Sequence, residues 1–271
     1  MFDSFNRQID YLRVSVTDRC NLRCTYCMPA EGIRLKDHAD ILSYEQITRV
    51  VAAAVGLGIG KVRLTGGEPL LRRNITFLVR ELKAVPGIGE VSLTSNGTLL
   101  APLAGELKQA GLDRLNISLD TLDAEKYRQV TRGGDIGQVL AGIRAATAAG
   151  FAQTKINMVL IPGFNDGEVE TLREFCRGNG LRLQRIHHYS LSEPRTSQPS
   201  PGALDAERPL SCRVCNRLRL TADGKLKPCL FSDREIAVDF SDIRASLMQA
   251  AAAKPARGSV CANRGNWQIG G

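Results

Sequence analysis

Six short segments of the chain alternate between apolar and polar residues, and segments with helical spacing separate them. The alternating segments span residues 11–16, 61–65, 90–94, 114–119, 155–161 and 182–188. Alternation with period two predicts β-strands, because successive side chains of a strand point to opposite faces. A strand followed by a helix, repeated six times, indicates parallel βα units in an open sheet or an incomplete barrel. In both arrangements the chemistry lies at the carboxyl ends of the strands.

The clearest helix signal begins at Ser43. Ser43 and Gln46 have the spacing of a capping box, and apolar residues then recur at helical spacing until Gly56. Similar patterns predict helices over residues 75–84, 99–110, 136–149 and 168–178.

Polar residues share one face of each of the first five predicted strands. They are Arg13 and Ser15; Lys61, Arg63 and Thr65; Ser92 and Thr94; Asn116 and Ser118; and Lys155 and Asn157. Parallel strands that are buried on both faces read as continuous apolar runs, so a polar, partly cationic face predicts a lumen that holds a ligand. Buried cations require anionic partners, which predicts a ligand with several negative charges. The alternative, that these are edge or solvent-facing positions, stays open for any single strand.

Composition narrows the class of protein. The chain has 271 residues with 36 Lys and Arg against 28 Asp and Glu, a net charge of +8, and it is 43% hydrophobic, which is typical of a folded globular protein. No secretory signal or apolar run long enough to span a bilayer is present, so we expect a cytoplasmic protein with no membrane partner and no disulfides. The basic charge suits a phosphate-bearing ligand, but no nucleic-acid motif accompanies it, so nucleic acid is not an expected partner.

Six of the eight cysteines fall into two groups of three, which we call the first and second triads. The first triad is Cys20, Cys24 and Cys27, in a loop after the first predicted strand. Closely spaced thiolates can wrap a 4Fe-4S cluster, and three local ligands leave one iron open to a small molecule. A zinc site completed by a distant residue is the alternative.

The second triad is Cys212, Cys215 and Cys229. Its spacing is ambiguous between zinc and an iron–sulfur cluster, and a fourth ligand would come from Cys261, from elsewhere or from a bound molecule. Arg217 and Arg219 follow on a segment where, if it is extended, both side chains point to one side as anion contacts. We interpret Cys176, which stands alone on a helical pattern, as a core thiol.

The motif Cys20-x-x-x-Cys24-x-Tyr26-Cys27, with Gly66-Gly67-Glu68-Pro69 after the second strand, resembles that of the radical S-adenosylmethionine (SAM) enzymes. Four stretches resemble the GTP 3′,8-cyclase family, whose reaction is the first step of molybdenum cofactor biosynthesis. They are residues 11–29, 61–69 and 215–230 and the terminal Gly270-Gly271. The resemblance covers nearly the whole chain.

The resemblance implies a fold, a reaction and partners. The fold is an incomplete (βα)6 TIM-like radical SAM barrel over residues 1–190, a shortened linker over 191–211 and an extension with a second cluster over 212–271. The reaction is a lyase-type cyclisation of GTP to (8S)-3′,8-cyclo-7,8-dihydroguanosine 5′-triphosphate through a 5′-deoxyadenosyl radical. The cofactors are two 4Fe-4S clusters and SAM. The partners are a flavodoxin- or ferredoxin-like electron donor and the downstream cyclic pyranopterin monophosphate synthase, and a homodimer is allowed.

The resemblance also assigns roles to individual residues. The first triad holds one cluster, and the second triad, Cys212, Cys215 and Cys229, holds the other. SAM binding falls to Tyr26, Gly66, Gly67, Glu68, Pro69, Ser118 and Tyr189. GTP binding falls to Arg13, Lys61, Arg63, Thr94, Lys155, Arg217 and Arg219. Catalytic roles fall to Arg217, Arg219, Gly270 and Gly271.

The chain departs from the family pattern in two places. Gln184 stands where a substrate-contacting Arg is expected and Tyr189 where a SAM-contacting Met is expected, and Arg185 could replace the missing Arg only if the strand slipped by one residue. The stretch before the second triad is also short by tens of residues. Two alternatives therefore stay open, a radical SAM enzyme with an auxiliary cluster and another substrate, and a non-catalytic iron–sulfur paralogue.

Overall fold

The six alternating segments form six parallel strands in the computed structural model, which describes residues 1–191, 193 and 211–269. Three further strands from the C-terminal region extend the same sheet, whose strand order is β6-β5-β4-β3-β2-β1-β7-β8-β9. The strands are β1 (Tyr11–Ser15), β2 (Lys61–Thr65), β3 (Glu90–Ser95), β4 (Arg114–Ser118), β5 (Lys155–Leu160), β6 (Arg182–His187), β7 (Arg217–Leu220), β8 (Lys225–Lys227) and β9 (Ile236–Ala237). Strand β8 pairs antiparallel with β7 and with β9, whereas β7 pairs parallel with β1.

Eight helices connect or follow the strands within the described residues. They are α1 (Tyr44–Val55), α2 (Ile75–Lys83), α3 (Leu100–Gln109), α4 (Ala124–Thr131), α5 (Ile136–Ala148), α6 (Val169–Gly178), α7 (Ile243–Ala252) and α8 (Asn266–Ile269). The capping box at the start of α1 is confirmed, because the Ser43 hydroxyl accepts from the Gln46 amide at 3.2 Å and the Gln46 side chain accepts from the Ser43 amide at 2.8 Å. None of the described helices has the length and apolar character needed to cross a membrane.

Apolar side chains of the strands and helices form one main core. Leu12 and Val14 of β1, Val62 and Leu64 of β2, and Ile47 of α1 are fully buried in it. The opposite face of the strands is therefore left to the polar residues, which point away from the helices.

Sequence patterns missed α4, α7 and the four-residue α8. The signal for α4 is present, because the Asp123 carboxylate accepts from the amides of Glu125 and Lys126, and Tyr127 and Val130 are buried one turn apart. Asp242 caps α7 in the same way, through the Ala245 amide at 3.0 Å. Of the predicted linker at 191–211, residues 192 and 194–210 lie outside the described residues. The boundaries 1–190 and 212–271 remain a prediction.

Candidate active site

Two adjoining cavities lie on the polar face of the sheet. The thiol cavity contains the first triad, and the cationic cavity contains the second. Five residues line both cavities, namely Arg13, Thr94, Asn157, Ile186 and Tyr189. Molecules bound in the two cavities would therefore be neighbours.

The loop after β1 brings the three thiols of the first triad to the thiol cavity. The Cys24 carbonyl accepts from the amides of Cys27 at 2.9 Å and Met28 at 3.0 Å, which makes the loop turn back on itself. Burial raises the pKa of Cys24 and raises that of Cys27 to about 12. A bound metal deprotonates such thiols, and three of them facing one cavity fit a 4Fe-4S cluster with an open iron. Within the described ranges, no group of three or more His, Cys, Asp or Glu residues is arranged to hold a single metal ion.

Tyr26 is held in place by a buried carboxylate. Its hydroxyl donates to Asp120 at 2.7 Å, and Asp120 also accepts from the Val159 amide at 2.8 Å. Burial raises the pKa of Asp120 to about 6. His188 contacts the Tyr26 ring edge-on, with 6.4 Å between the ring centroids. Neither Asp120 nor His188 was identified from the sequence as part of the site.

Two glycines at the end of β2 allow the chain to lie directly against the loop of the first triad. A Cβ at Gly66, whose φ is +151°, would be 2.6 Å from the Thr17 carbonyl oxygen. One at Gly67 would be 2.3 Å from the Arg19 carbonyl oxygen. Only glycine permits this approach.

Glu68 joins the segment after β2 to the end of β3. Its carboxylate is fully buried and accepts from the Leu70 amide at 3.0 Å, the Ser95 hydroxyl at 2.9 Å and the Asn96 amide at 2.7 Å. Burial outweighs these hydrogen bonds and raises the pKa of Glu68 to about 7. Among the residues expected to bind SAM, Glu68 and Pro69 do not line the thiol cavity. Those that line it are Tyr26, Gly66, Gly67, Ser118 and Tyr189.

The cationic cavity is lined by seven basic residues and, among the residues described, by no Asp or Glu. The basic residues are Arg7, Arg13, Arg63, Lys155, Arg217, Arg219 and Lys254. Burial, and then the charge of Arg219, lowers the pKa of Arg13 well below its usual value. The buried Nε atom of Arg217 has no hydrogen-bond partner in this part of the chain. The cavity therefore suits a ligand with several negative charges.

The expected GTP-binding residues divide into two groups. Arg13, Arg63, Thr94, Lys155, Arg217 and Arg219 line the cationic cavity. Arg63 also donates to the Thr94 hydroxyl at 3.2 Å and to the Tyr11 hydroxyl. Lys61 lines neither cavity; its ammonium pairs with Asp10 at 3.1 Å and its side chain is half exposed.

The second triad lies on the wall of the cationic cavity, where Cys212, Cys215 and Cys229 are all lining residues. Cys261 is buried outside both cavities, and its thiol donates to the Asn263 side chain at 3.3 Å. Cys176 is buried in the main core, as expected.

The register of β6 settles how Gln184 and Arg185 are oriented. Asn157 pairs with Gln184 and Met158 with Arg185, so Gln184 shares the polar face with Asn157 and Arg185 lies on the other face. Gln184 lines the cationic cavity and donates to Asn157 at 3.3 Å. The one-residue slip that would bring Arg185 into the lumen does not occur. Gly270 and Gly271 lie outside the described residues, so their expected catalytic roles remain predictions.

Comparison with known proteins supports this description. A family model described as the Radical SAM superfamily matches residues 14–176. Two solved structures share the fold at 15% identity. Streptococcus suis SuiB bound to S-adenosylmethionine has a TM-score of 0.65 and covers 89% of this chain and 68% of that one. Native anSMEcpe with bound AdoMet has a TM-score of 0.64 and covers 91% and 81%. The fold and the thiol loop therefore define a radical SAM protein, as expected.

Curated relatives narrow the assignment. The GTP 3′,8-cyclase of Moorella thermoacetica is 45% identical over 88% of this chain and 86% of its own length. The GTP 3′,8-cyclase of Alkaliphilus oremlandii is 40% identical over 100% of both chains. The chain belongs to the GTP 3′,8-cyclase family. The second alignment spans 322 positions, so 51 positions of that relative have no counterpart in the 271 residues here.

Proposed function

We propose that the protein converts GTP to (8S)-3′,8-cyclo-7,8-dihydroguanosine 5′-triphosphate, with SAM in the thiol cavity and GTP in the cationic cavity. The observation that carries the proposal is the cationic cavity itself, because seven basic residues without a lining carboxylate adjoin the thiol loop of a radical SAM fold. The family assignment supports the same substrate.

The thiol cavity would hold the first cluster through Cys20, Cys24 and Cys27. The cluster, when bound, supplies an electron to SAM. Tyr26 offers a ring whose orientation is fixed by Asp120, and Gly66 and Gly67 expose backbone groups at the cavity wall. These residues bind and orient SAM.

The cationic cavity would hold the triphosphate. Arginine guanidinium groups bind phosphate oxygens in pairs, whereas Lys155 acts as a point charge. The buried Nε of Arg217 is a donor ready for such an oxygen. Arg13 and Thr94 line both cavities, so we place the reacting part of GTP beside them.

The second triad would hold a second 4Fe-4S cluster on the wall of the cationic cavity. Three thiols line the cavity there, and they would leave one iron of a bound cluster without a protein ligand and available to the substrate. An electron donor of the flavodoxin or ferredoxin type, cyclic pyranopterin monophosphate synthase as the next enzyme, a cytoplasmic location and a homodimer complete the proposal.

The test is anaerobic reconstitution with iron and sulfide, followed by incubation with SAM, a reductant and GTP. We expect a cyclised nucleotide by mass spectrometry. The substitution Arg217→Met removes the charge-assisted hydrogen bonds that Arg217 would make to the triphosphate. We expect it to raise the KM for GTP at least about tenfold. The matched control is Arg185→Met, on the opposite face of β6, which leaves the KM unchanged. Formation of 5′-deoxyadenosine with no cyclised nucleotide would overturn the assignment of GTP as substrate.

A further inference from the structure

A buried lysine connects the segment that carries Cys215 to the segment that carries Cys229. Lys254 follows α7 and is 3% exposed. Its ammonium donates to the Arg217 carbonyl at 2.8 Å, the Pro228 carbonyl at 2.9 Å and the Cys215 sulfur at 3.4 Å. An ammonium has three N–H donors, so this geometry uses all of them.

The partners of Lys254 lie close to the cysteines in the chain. Arg217 begins β7 two residues after Cys215, and Pro228 lies between the end of β8 and Cys229. One ammonium therefore fixes the spacing between the segment that carries Cys215 and the segment that carries Cys229.

The surroundings of Lys254 also indicate which groups balance its positive charge. None of the three hydrogen bonds goes to a carboxylate, and the cationic cavity beside it has no lining Asp or Glu among the described residues. A buried charge requires a partner of opposite sign. The thiolates of a loaded second triad would provide one.

We propose that Lys254 is a positioning residue for the second cluster, which it serves by holding Cys215 and Cys229 at a fixed separation and by placing a positive charge against the cluster sulfurs. The inference rests on the proposed function, because it assumes that the second triad binds a cluster. Hydrogen bonds and positive charge at cluster sulfurs favour the reduced state and raise the reduction potential.

The chain provides a matched control in Lys227. Lys227 is fully buried in the same region, and its ammonium contacts the Ser232 carbonyl at 2.8 Å, Asn263 at 3.2 Å and Glu235 at 3.3 Å. It contacts no cysteine in these bonds and lines neither cavity.

The experiment uses the full chain with Cys20→Ala, Cys24→Ala and Cys27→Ala, so that iron reports on the second triad alone. With Lys254 intact we expect about four irons per chain, as for one cube. Lys254→Met is expected to lower iron and sulfide at least twofold and to lower the reduction potential of the remaining cluster. Lys227→Met is expected to change neither quantity, even where it lowers the melting temperature.

The inference would be overturned if the proteins with and without Lys254→Met had the same iron content and the same reduction potential. If Lys254→Met does not fold, Lys254→Gln is measured instead, since its amide still donates to the carbonyls but has no charge. A reduction potential that is lower in Lys254→Gln than in the protein with Lys254 supports the proposal, and an unchanged reduction potential overturns it. Absence of iron even with Lys254 intact would refute the second cluster itself, and the Lys254 role with it.

Discussion

The two triads each contain three cysteine thiols, but their electrostatic surroundings differ. The first lies in a loop near the buried carboxyls of Glu68 and Asp120, and burial raises the pKa of all three of its thiols. At the second, burial also raises the pKa of Cys215, but the charges of Lys254 and Arg217 outweigh it and lower that pKa to about 7. One ligand set therefore lies near acidic side chains in the first triad and near basic side chains in the second.

The largest effect is expected from removing one thiol of each triad. Cys20→Ala and Cys229→Ala are each expected to lower iron from about eight to about four atoms per chain. Cys20→Ala abolishes 5′-deoxyadenosine formation, whereas Cys229→Ala retains it and abolishes the cyclised nucleotide. Iron analysis and product chromatography measure both. The control is Cys176→Ala, in the main core, which leaves iron unchanged. If Cys20→Ala and Cys229→Ala changed the two products in the same way, the two triads would not have separate roles in SAM cleavage and nucleotide cyclisation.

A glycine lies behind each triad and permits a subtler comparison. A Cβ at Gly67 would be 2.3 Å from the Arg19 carbonyl oxygen and 3.0 Å from the Cys20 Cβ, and one at Gly258 would be 2.7 Å from the Cys229 sulfur. A displacement of about 1 Å costs roughly 100-fold in rate. We therefore expect Gly67→Ala to slow SAM cleavage by about that factor and Gly258→Ala to slow only nucleotide cyclisation. Gly105→Ala, where no atom lies within 4 Å, is the control. Loss of SAM cleavage in Gly258→Ala would show that the two sites are not separable.

An ion network anchors the C-terminal segment near the second triad. Asp223 pairs with Lys36 and Arg264, both at 3.0 Å, and Arg264 also contacts Glu235 at 2.7 Å. Burial opposes ionisation of Asp223, but its hydrogen bonds outweigh this and lower its pKa to about 2. Asp223 therefore stabilises the fold above its ordinary pKa of 3.8, and the contribution is lost as the pH falls toward 2.

The corresponding substitution is Asp223→Asn. We expect it to lower the free energy of unfolding by about 1–2 kcal/mol at pH 7, and by progressively less as the pH falls below 4. Denaturant titration at several pH values measures the difference from the unmodified protein. Glu170→Gln removes an exposed pair with Arg173 and should change the free energy by less than about 0.5 kcal/mol. If the effect of Asp223→Asn on the free energy of unfolding did not depend on pH, the lowered pKa of Asp223 would be contradicted.

The smallest effect is expected at Gln184, where the family pattern has Arg. Gln184→Arg adds a guanidinium beside Asn157 and Lys155 on the wall of the cationic cavity. We expect the Kd for GTP to fall by about threefold to tenfold, since one more phosphate contact becomes available. Gln109→Arg, exposed at the end of α3, controls for the added charge. Equal effects of the two substitutions would mean that GTP responds only to net charge.

Local patterns predicted much of the site. Arg13, Arg63 and Lys155 were assigned to the lumen from strand alternation alone, because which face a strand residue occupies is a local property. Arg7 and Lys254 carry no such signal. They reach the cationic cavity because the N-terminal segment and the segment after α7 fold back onto the second triad, which only tertiary structure specifies. Asp120 was missed for the same reason, since its partner Tyr26 is distant in sequence.

The place of β1 between β2 and β7 affects how the chain folds as it is synthesised. Tyr11 pairs with Lys61 on one side and with Arg217 on the other. At a synthesis rate of about 5–20 residues per second, β7, which pairs with the second edge of β1, leaves the ribosome roughly 10–40 seconds after β1. Until then an apolar strand edge stays open to other chains. The strand made first thus gains its second neighbour only after β2 to β6 have been made, and slower assembly of this sheet exposes the nascent chain to aggregation.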